Sequence, residues 1–252
     1  MTTTVRLDPH AHLYDSYSTK DWCCAAFSNL GGGPEVASVV IVVDRNGQDS
    51  IERLRGEVPS FADWKDIWDG QAGRIELDEG ALTVIRGVQY VSNERIEVLG
   101  LGVERAAPDR MAASEYLSII TELGGLSCLP WSPGKWLGAR GAVVRRLLDA
   151  TPATILTVGD IAIRSPIGPP SSLLRYARKK GFSVLAGTDP LPRVQDQLLV
   201  GAFGIETLTD AGDVLSSWSE LKNALVAPQA LKTWGRRNSA GTALQRFISS
   251  IV

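Results

Sequence analysis

With 252 residues the chain is long enough for one large α/β domain or two small ones, and for a sizeable core. Its 26 basic and 28 acidic side chains nearly cancel, which gives no general attraction to polyanions and no support for a nucleic-acid partner. The longest apolar stretch, Val36 to Val43, is too short for a bilayer, and neither a secretory signal nor a disulfide framework is apparent, so a reducing cytoplasm is expected.

In chain order, Thr4 to Leu7 reads as a short strand running into the turn Asp8-Pro9-His10-Ala11-His12. A helix is predicted from Thr19 to Leu30, capped by Ser18 or Thr19 and ended by three glycines. Ser38 to Val43 is a continuous β-branched run, the mark of a strand buried on both faces. Gln48 to Arg55 reads as a short helix, and Val58 to Gly73 as an irregular, Trp-rich excursion. Leu82 to Val91 and Arg95 to Leu101 form two strands joined at Ser92-Asn93-Glu94, followed by an amphipathic helix over 109–123. Strand and helix then alternate: strand 126–129, helix 142–149, strand 154–158, helix 171–180 and strand 182–186. Helices around 214–225 and 240–251 close the chain. Repeated β-then-α units imply an α/β fold on a mostly parallel sheet, closed as a barrel or open and doubly wound. No Gly-x-Gly-x-x-Gly follows a strand, so a dinucleotide fold loses its usual signature. One domain spanning residues 1–252 is the simpler organisation.

Ligands of such a barrel collect where strands end. The groups there are His10 and His12; Asp44 and Arg45; Gln89 and Glu97; Trp131, Lys135 and Arg140; Asp160 and Arg164; and Asp189. His10 and His12 are the only histidines, and their i, i+2 spacing on a strand points both imidazoles to one face, where they can share a cation such as zinc, iron or nickel. A hydrogen-bonded core histidine beside an exposed one is the plainer account. Asp189, after a strand and a glycine, is placed to bind a metal or accept a proton, or else to shape an Asp-Pro turn. The loop from Leu129 to Gly141 is rich in proline and glycine and carries Lys135, Trp136 and Arg140, which suit an anion or a stacked ring; equally, its tryptophans can lid the core. Asp160 and Arg164 can pair with each other across their turn. The adjacent Cys23 and Cys24 are expected to pack a helix.

Leu7 to Ser16 resembles the first motif of the PHP (polymerase and histidinol phosphatase) superfamily, Asp-x-His-x-His with a serine four residues on, here Ser16. The amidohydrolase superfamily, with its His-x-His and late aspartate, is the nearest rival. The resemblance implies a distorted (β/α) barrel of TIM-like type, up to three metals and cleavage of phosphate esters. It continues along the chain with most ligands replaced. Asp44-Arg45 is similar to a Thr-Asp-His motif with Arg45 for the histidine, Gln89 stands for a bridging glutamate, and Glu97 for a histidine. Leu129-Pro130 takes the place of His-Pro, and Gly187 to Leu191 keeps Asp189 but has Leu191 for the last histidine. A cation at Arg45 opposes a multinuclear site. The expectation is one divalent metal ion (zinc, manganese or iron) on His10, His12 and Asp189, with Glu97 as a further donor, or none. Two functions follow. One is a mononuclear metal-dependent hydrolase of an anionic small molecule, phosphoester first and amide second, with Arg45, Lys135, Trp136, Arg140, Asp160 and Arg164 holding substrate. The other is a barrel that has lost catalysis and serves as a binding or regulatory protein.

Overall fold

The computed structural model describes residues 2–132, 134–162, 164, 171–210 and 216–237. β1 (Thr2–Ala11) leads to α1 (Thr19–Asn29), whose cap Ser18 accepts a hydrogen bond from the Asp21 N–H. β2 (Val36–Asp44) is the β-branched run, buried from Ser38 onward, and α2 (Ser50–Glu57) starts under Asp49.

The stretch expected to be irregular is instead a hairpin of β3 (Asp63–Ile67) and β4 (Ala72–Leu77). Its turn uses Trp68 and Asp69 at φ 54°, a left-handed conformation that tryptophan rarely takes, so the sequence carries a weak turn signature there. β5 (Gly80–Val91) is long enough to pair β4 with its first half and β6 (Glu97–Leu101) with its second, while β2 lies along its other edge. α3 (Ala113–Glu122), β7 (Leu126–Pro130), α4 (Gly138–Ala150), β8 (Leu156–Ile161), α5 (Ser172–Lys179) and β9 (Val184–Gly187) follow as expected, with boundaries shifted by a few residues.

The sequence reading missed β10 (Phe203–Asp210), where buried Phe203, Ile205 and Thr207 alternate with Gly204, Glu206 and Leu208. The helix expected at 214–225 is α6 (Trp218–Leu225), capped by Ser217, and it is followed by β11 (Lys232–Gly235). The helix expected at 240–251 lies outside the described residues.

Among the described residues eleven strands join one mixed sheet, ordered β11-β10-β1-β2-β5-β6-β7-β8-β9 with the β3-β4 hairpin beside β5. Parallel pairs (β1 with β2, β2 with β5, β7 with β8, β8 with β9) set the common direction, and β4, β6 and β10 run against it. The sheet curls into a nearly closed, distorted (β/α) barrel. Alternation sends Val39, Ile41 and Val43 to one face with Val5, Leu7, Ile85, Leu99 and Cys128, while Val40 and Val42 face α1 and α2. A third cluster packs α3, α4 and α5 on the outside.

The barrel closes between β9 and β1. Asp189 donates its N–H to the His10 carbonyl (2.8 Å), and the fully buried Asp8 carboxylate accepts from the N–H groups of Thr188 (3.0 Å), Gly201 (3.0 Å) and His10 (3.2 Å) and from the Thr188 hydroxyl. One side chain of β1 therefore ties the loops that follow β9 and precede β10. Among the described residues no helix is long and apolar enough to cross a membrane.

Candidate metal centre

β1 ends in a register shift between Asp8 and Ala11, which carries His10 and His12 into the barrel mouth. Asp189 reaches the same point from the turn after β9, on backbone at φ 45°. His10 Nε2 and His12 Nε2 each lie 3.5 Å from Asp189 Oδ1, and the three ligand atoms all fall within 4.8 Å of one another. The imidazoles meet edge to face, 5.2 Å apart. His10 and His12 are 5% and 3% exposed; Asp189, at 22% for its side chain, is the member that opens to solvent.

His12 Nδ1 sits 2.8 Å from the Val43 carbonyl, an acceptor that fixes the proton on Nδ1 and leaves the Nε2 lone pair facing Asp189. His10 has no such support: both its ring nitrogens are buried without a hydrogen-bond partner. The 3.5 Å contact to Asp189 is too long for a good hydrogen bond. Burial lowers the His10 pKa and outweighs the pull of Asp189. Burial also opposes the charge on Asp189, yet His10, His12 and Lys135 together hold its carboxyl well below the usual carboxylate range. Two imidazoles and one carboxylate, with an orphaned buried nitrogen among them, fit a divalent cation.

Gly187 makes the arrangement possible. A Cβ there would stand 2.8 Å from His10 Cβ and 3.1 Å from its backbone nitrogen. Gly187→Ala is therefore expected to push β9 away from β1, costing about 1–3 kcal/mol of stability and about tenfold or more in metal affinity. Thermal melts with and without added zinc check both; unchanged metal affinity would show that the glycine matters for packing alone.

The other predicted residues divide. Lys135 Nζ pairs with Glu97 Oε1 (2.5 Å), which also receives Gln89 Nε2 (3.3 Å). Both Lys135 and Glu97 act on the triad, one on the charge of Asp189 and the other on that of His10. Arg45 lies within electrostatic reach of Tyr14, whose ring packs 5.3 Å from that of His12. Trp136 is buried in the cluster under α4, and Arg140, on the first turn of α4, donates to the Gly134 carbonyl of the preceding loop. Arg164 grips Asp160 with two bonds (2.6 and 2.8 Å), and Arg237 adds a further ion pair to the same carboxylate. Cys23 is buried with its thiol pushed up by desolvation, consistent with packing. Sequence reasoning named Asp8 within its motif but gave it no role, and it missed Tyr14 and Arg105. Asp8 and Tyr14 stand two residues before His10 and two after His12, a spacing that carried their signal. Arg105, which donates to the carbonyls of Gln89 and Asp44, had none.

No family model matches this chain, and neither does any curated protein. Solved structures do. PsfC from Pseudomonas syringae aligns over 99% of this chain and 100% of its own, with a TM-score of 0.62 at 14% identity. A two-domain protein from Bacteroides vulgatus, containing a predicted PHP-like metal-dependent phosphoesterase, aligns over 93% of this chain and 66% of its own, with a TM-score of 0.53 at 10% identity. The fold is PHP-like. The lesion-specific endonuclease EndoQ from Pyrococcus furiosus aligns over 92% of this chain at a TM-score of 0.53 and 15% identity, but the match spans only 58% of that enzyme. In this PHP-like barrel the triad occupies the strand-end face where the sequence placed its pocket.

Proposed function

We propose that the chain is a one-domain metal-dependent hydrolase holding a single zinc, manganese or iron ion on His10, His12 and Asp189. Its substrate is an anionic small molecule, a phosphoester first and an amide second. The observation that carries this reading is the convergence of three ligand atoms within 4.8 Å, with both nitrogens of the buried His10 unpartnered. When bound, the ion supplies Lewis-acid polarisation of the scissile group and eases ionisation of a water.

The chain's own residues do the rest. His12, oriented by Val43, and His10 present lone pairs; Asp189, the solvent-facing member, either completes the donor set or takes up the proton of the attacking water. Lys135 and Arg45 supply positive charge at the mouth, and Arg164, positioned by Asp160, is kept as a further anion contact. Trp136 and Arg140 support the loop that carries Lys135. The replacements at Arg45, Gln89, Leu129 and Leu191 favour the second reading, a barrel that binds a ligand without turning it over.

Metal analysis separates the two. Protein purified without chelator, or reloaded with zinc, manganese or iron, is expected to hold close to one ion per chain, and chelation is expected to remove activity on a generic phosphoester. Failure to take up any of the three ions would overturn the hydrolase reading. EndoQ's DNA substrate belongs to a chain much longer than this one; cleavage of an abasic duplex by the loaded protein would replace the small molecule with nucleic acid.

A further inference from the structure

Away from the triad, two guanidinium groups converge on one buried carboxylate. Asp160, near the end of β8, accepts from Arg164 Nε (2.6 Å) and Nη2 (2.8 Å), and Arg237, just past β11, donates its Nη2 to the same carboxylate. The Arg237 guanidinium also lies 4.9 Å from the centre of the Phe203 ring on β10. Strand alternation separates this group from the metal centre. A Cβ on Gly159 would meet Cys128 Sγ inside the barrel, and one on Gly187 would meet His10. Asp160 follows Gly159 and is paired with Ala186, which precedes Gly187, so both face the opposite way. Val158 shares that outer face and packs in the cluster of α3, α4 and α5. Asp160 therefore opens to the outside of the barrel wall, where Arg237 reaches it from β11.

The charges of this group do not balance. One carboxylate, 2% exposed, faces two guanidiniums whose side chains are 11% and 23% exposed, so one positive charge is in excess where water is scarce. Nε of Arg237 is buried with no acceptor. Burial also lowers the Arg237 pKa against the pull of Asp160, the direction expected of a cation short of counter-charge. Buried charges are normally paired and buried donors normally bonded, so the excess charge and the orphaned N–H call for the same thing, a second anion. We infer that Arg164 and Arg237 form an anion site distinct from the metal centre, one that takes a small oxyanion, a carboxylate or a sulfate-like group. Its donors are Nε of Arg237 and the Nη1 groups of both arginines, none of which Asp160 uses. The site does not depend on the metal reading, and the anion contact kept for Arg164 then lies on a different face from the scissile group. The alternative is a strap without a ligand, in which Arg237 only pins the segment after β11 to β8.

The test uses the metal-free full chain at constant ionic strength, with sulfate and acetate as separate probes. Calorimetric titration is expected to show saturable binding of at least one of them by the wild type, and the stronger of the two names the head group. Arg237→Met is expected to bind about tenfold or more weakly, the loss of one charged hydrogen-bonding partner. Arg237→Lys keeps the charge without the fork and is expected to fall between the two, which serves as the measure should Arg237→Met prove unstable. His12→Gln, altered at the triad alone, is expected to bind as the wild type does. A wild type with no saturable response to either anion overturns the inference and leaves the strap. Unchanged affinity in both Arg237 variants, or binding lost in His12→Gln, overturns it as well by placing the anion elsewhere. Metal content is measured separately on loaded protein, so a failure of the metal reading shows itself there and not in these titrations.

Discussion

Replacing His12 is expected to abolish stoichiometric metal binding and to lower hydrolysis by about a thousandfold, since a lost Lewis acid forfeits several kcal/mol and each 1.4 kcal/mol or so is tenfold. The choice of variant matters because His12 is 3% exposed and bonded to the Val43 carbonyl. His12→Ala leaves a small void and an unpaired buried carbonyl, a cost of about 2–4 kcal/mol that mixes folding with function. His12→Gln keeps a donor for Val43 but lacks the ring nitrogen. Asp189→Asn keeps the shape and removes the charge that two imidazoles face. Metal raises the stability of a folded state that binds it by about 2.7 kcal/mol at a hundredfold excess over Kd. Wild-type protein should therefore melt higher when zinc is added, whereas His12→Gln and Asp189→Asn should not respond. A His12→Gln chain that still gains stability from zinc would place the ion elsewhere.

The barrel and its mouth were legible because the strongest sequence signals were local. The β-branched run of β2 and the strand-helix alternation from β5 to β9 each specify themselves within a few residues. His10, His12 and Asp189 were found by a simple rule, that chemistry collects where strands end, and the structure brings them within 4.8 Å. What escaped depends on pairing between distant segments. β11 is short and lies at an edge, and β10 runs against the common direction beside β1, at the other end of the chain. The hairpin of β3 and β4 was hidden by a tryptophan in its turn. At the site, the lysine and arginines of the mouth were visible as residue types only. Spacing did offer the pair of Asp160 and Arg164, which is local and which the structure makes, but it cannot say that Lys135 would rest on Glu97, because that pairing is decided by which strand neighbours which.

Asp8 shows that dependence most sharply, and its loss should be the most damaging single change in the fold. Its carboxylate, 0% exposed, gathers three backbone N–H groups and the Thr188 hydroxyl, and those donors come from β1 itself, from the turn after β9 and from the turn before β10. Burial pushes its pKa up and the four hydrogen bonds pull it back, so the group is held by its partners at the expense of hydration. In Asp8→Ala all four donors lose their acceptor inside the barrel. Each orphaned buried group costs about 1–3 kcal/mol and the seam relaxes only in part, so a loss of about 3–5 kcal/mol is expected. Asp8→Asn retains an acceptor oxygen but turns an NH₂ toward a backbone donor, and it should lie between the two. Chemical denaturation of metal-free protein measures this directly. Because Thr188 adjoins Asp189 and His10 donates to Asp8, the same variants should also lose metal affinity under conditions where they remain folded. Destabilisation with an undisturbed metal site would show that the seam and the triad are independent; loss of both, with Gly187→Ala behaving alike, would show that closing the barrel is what builds the site.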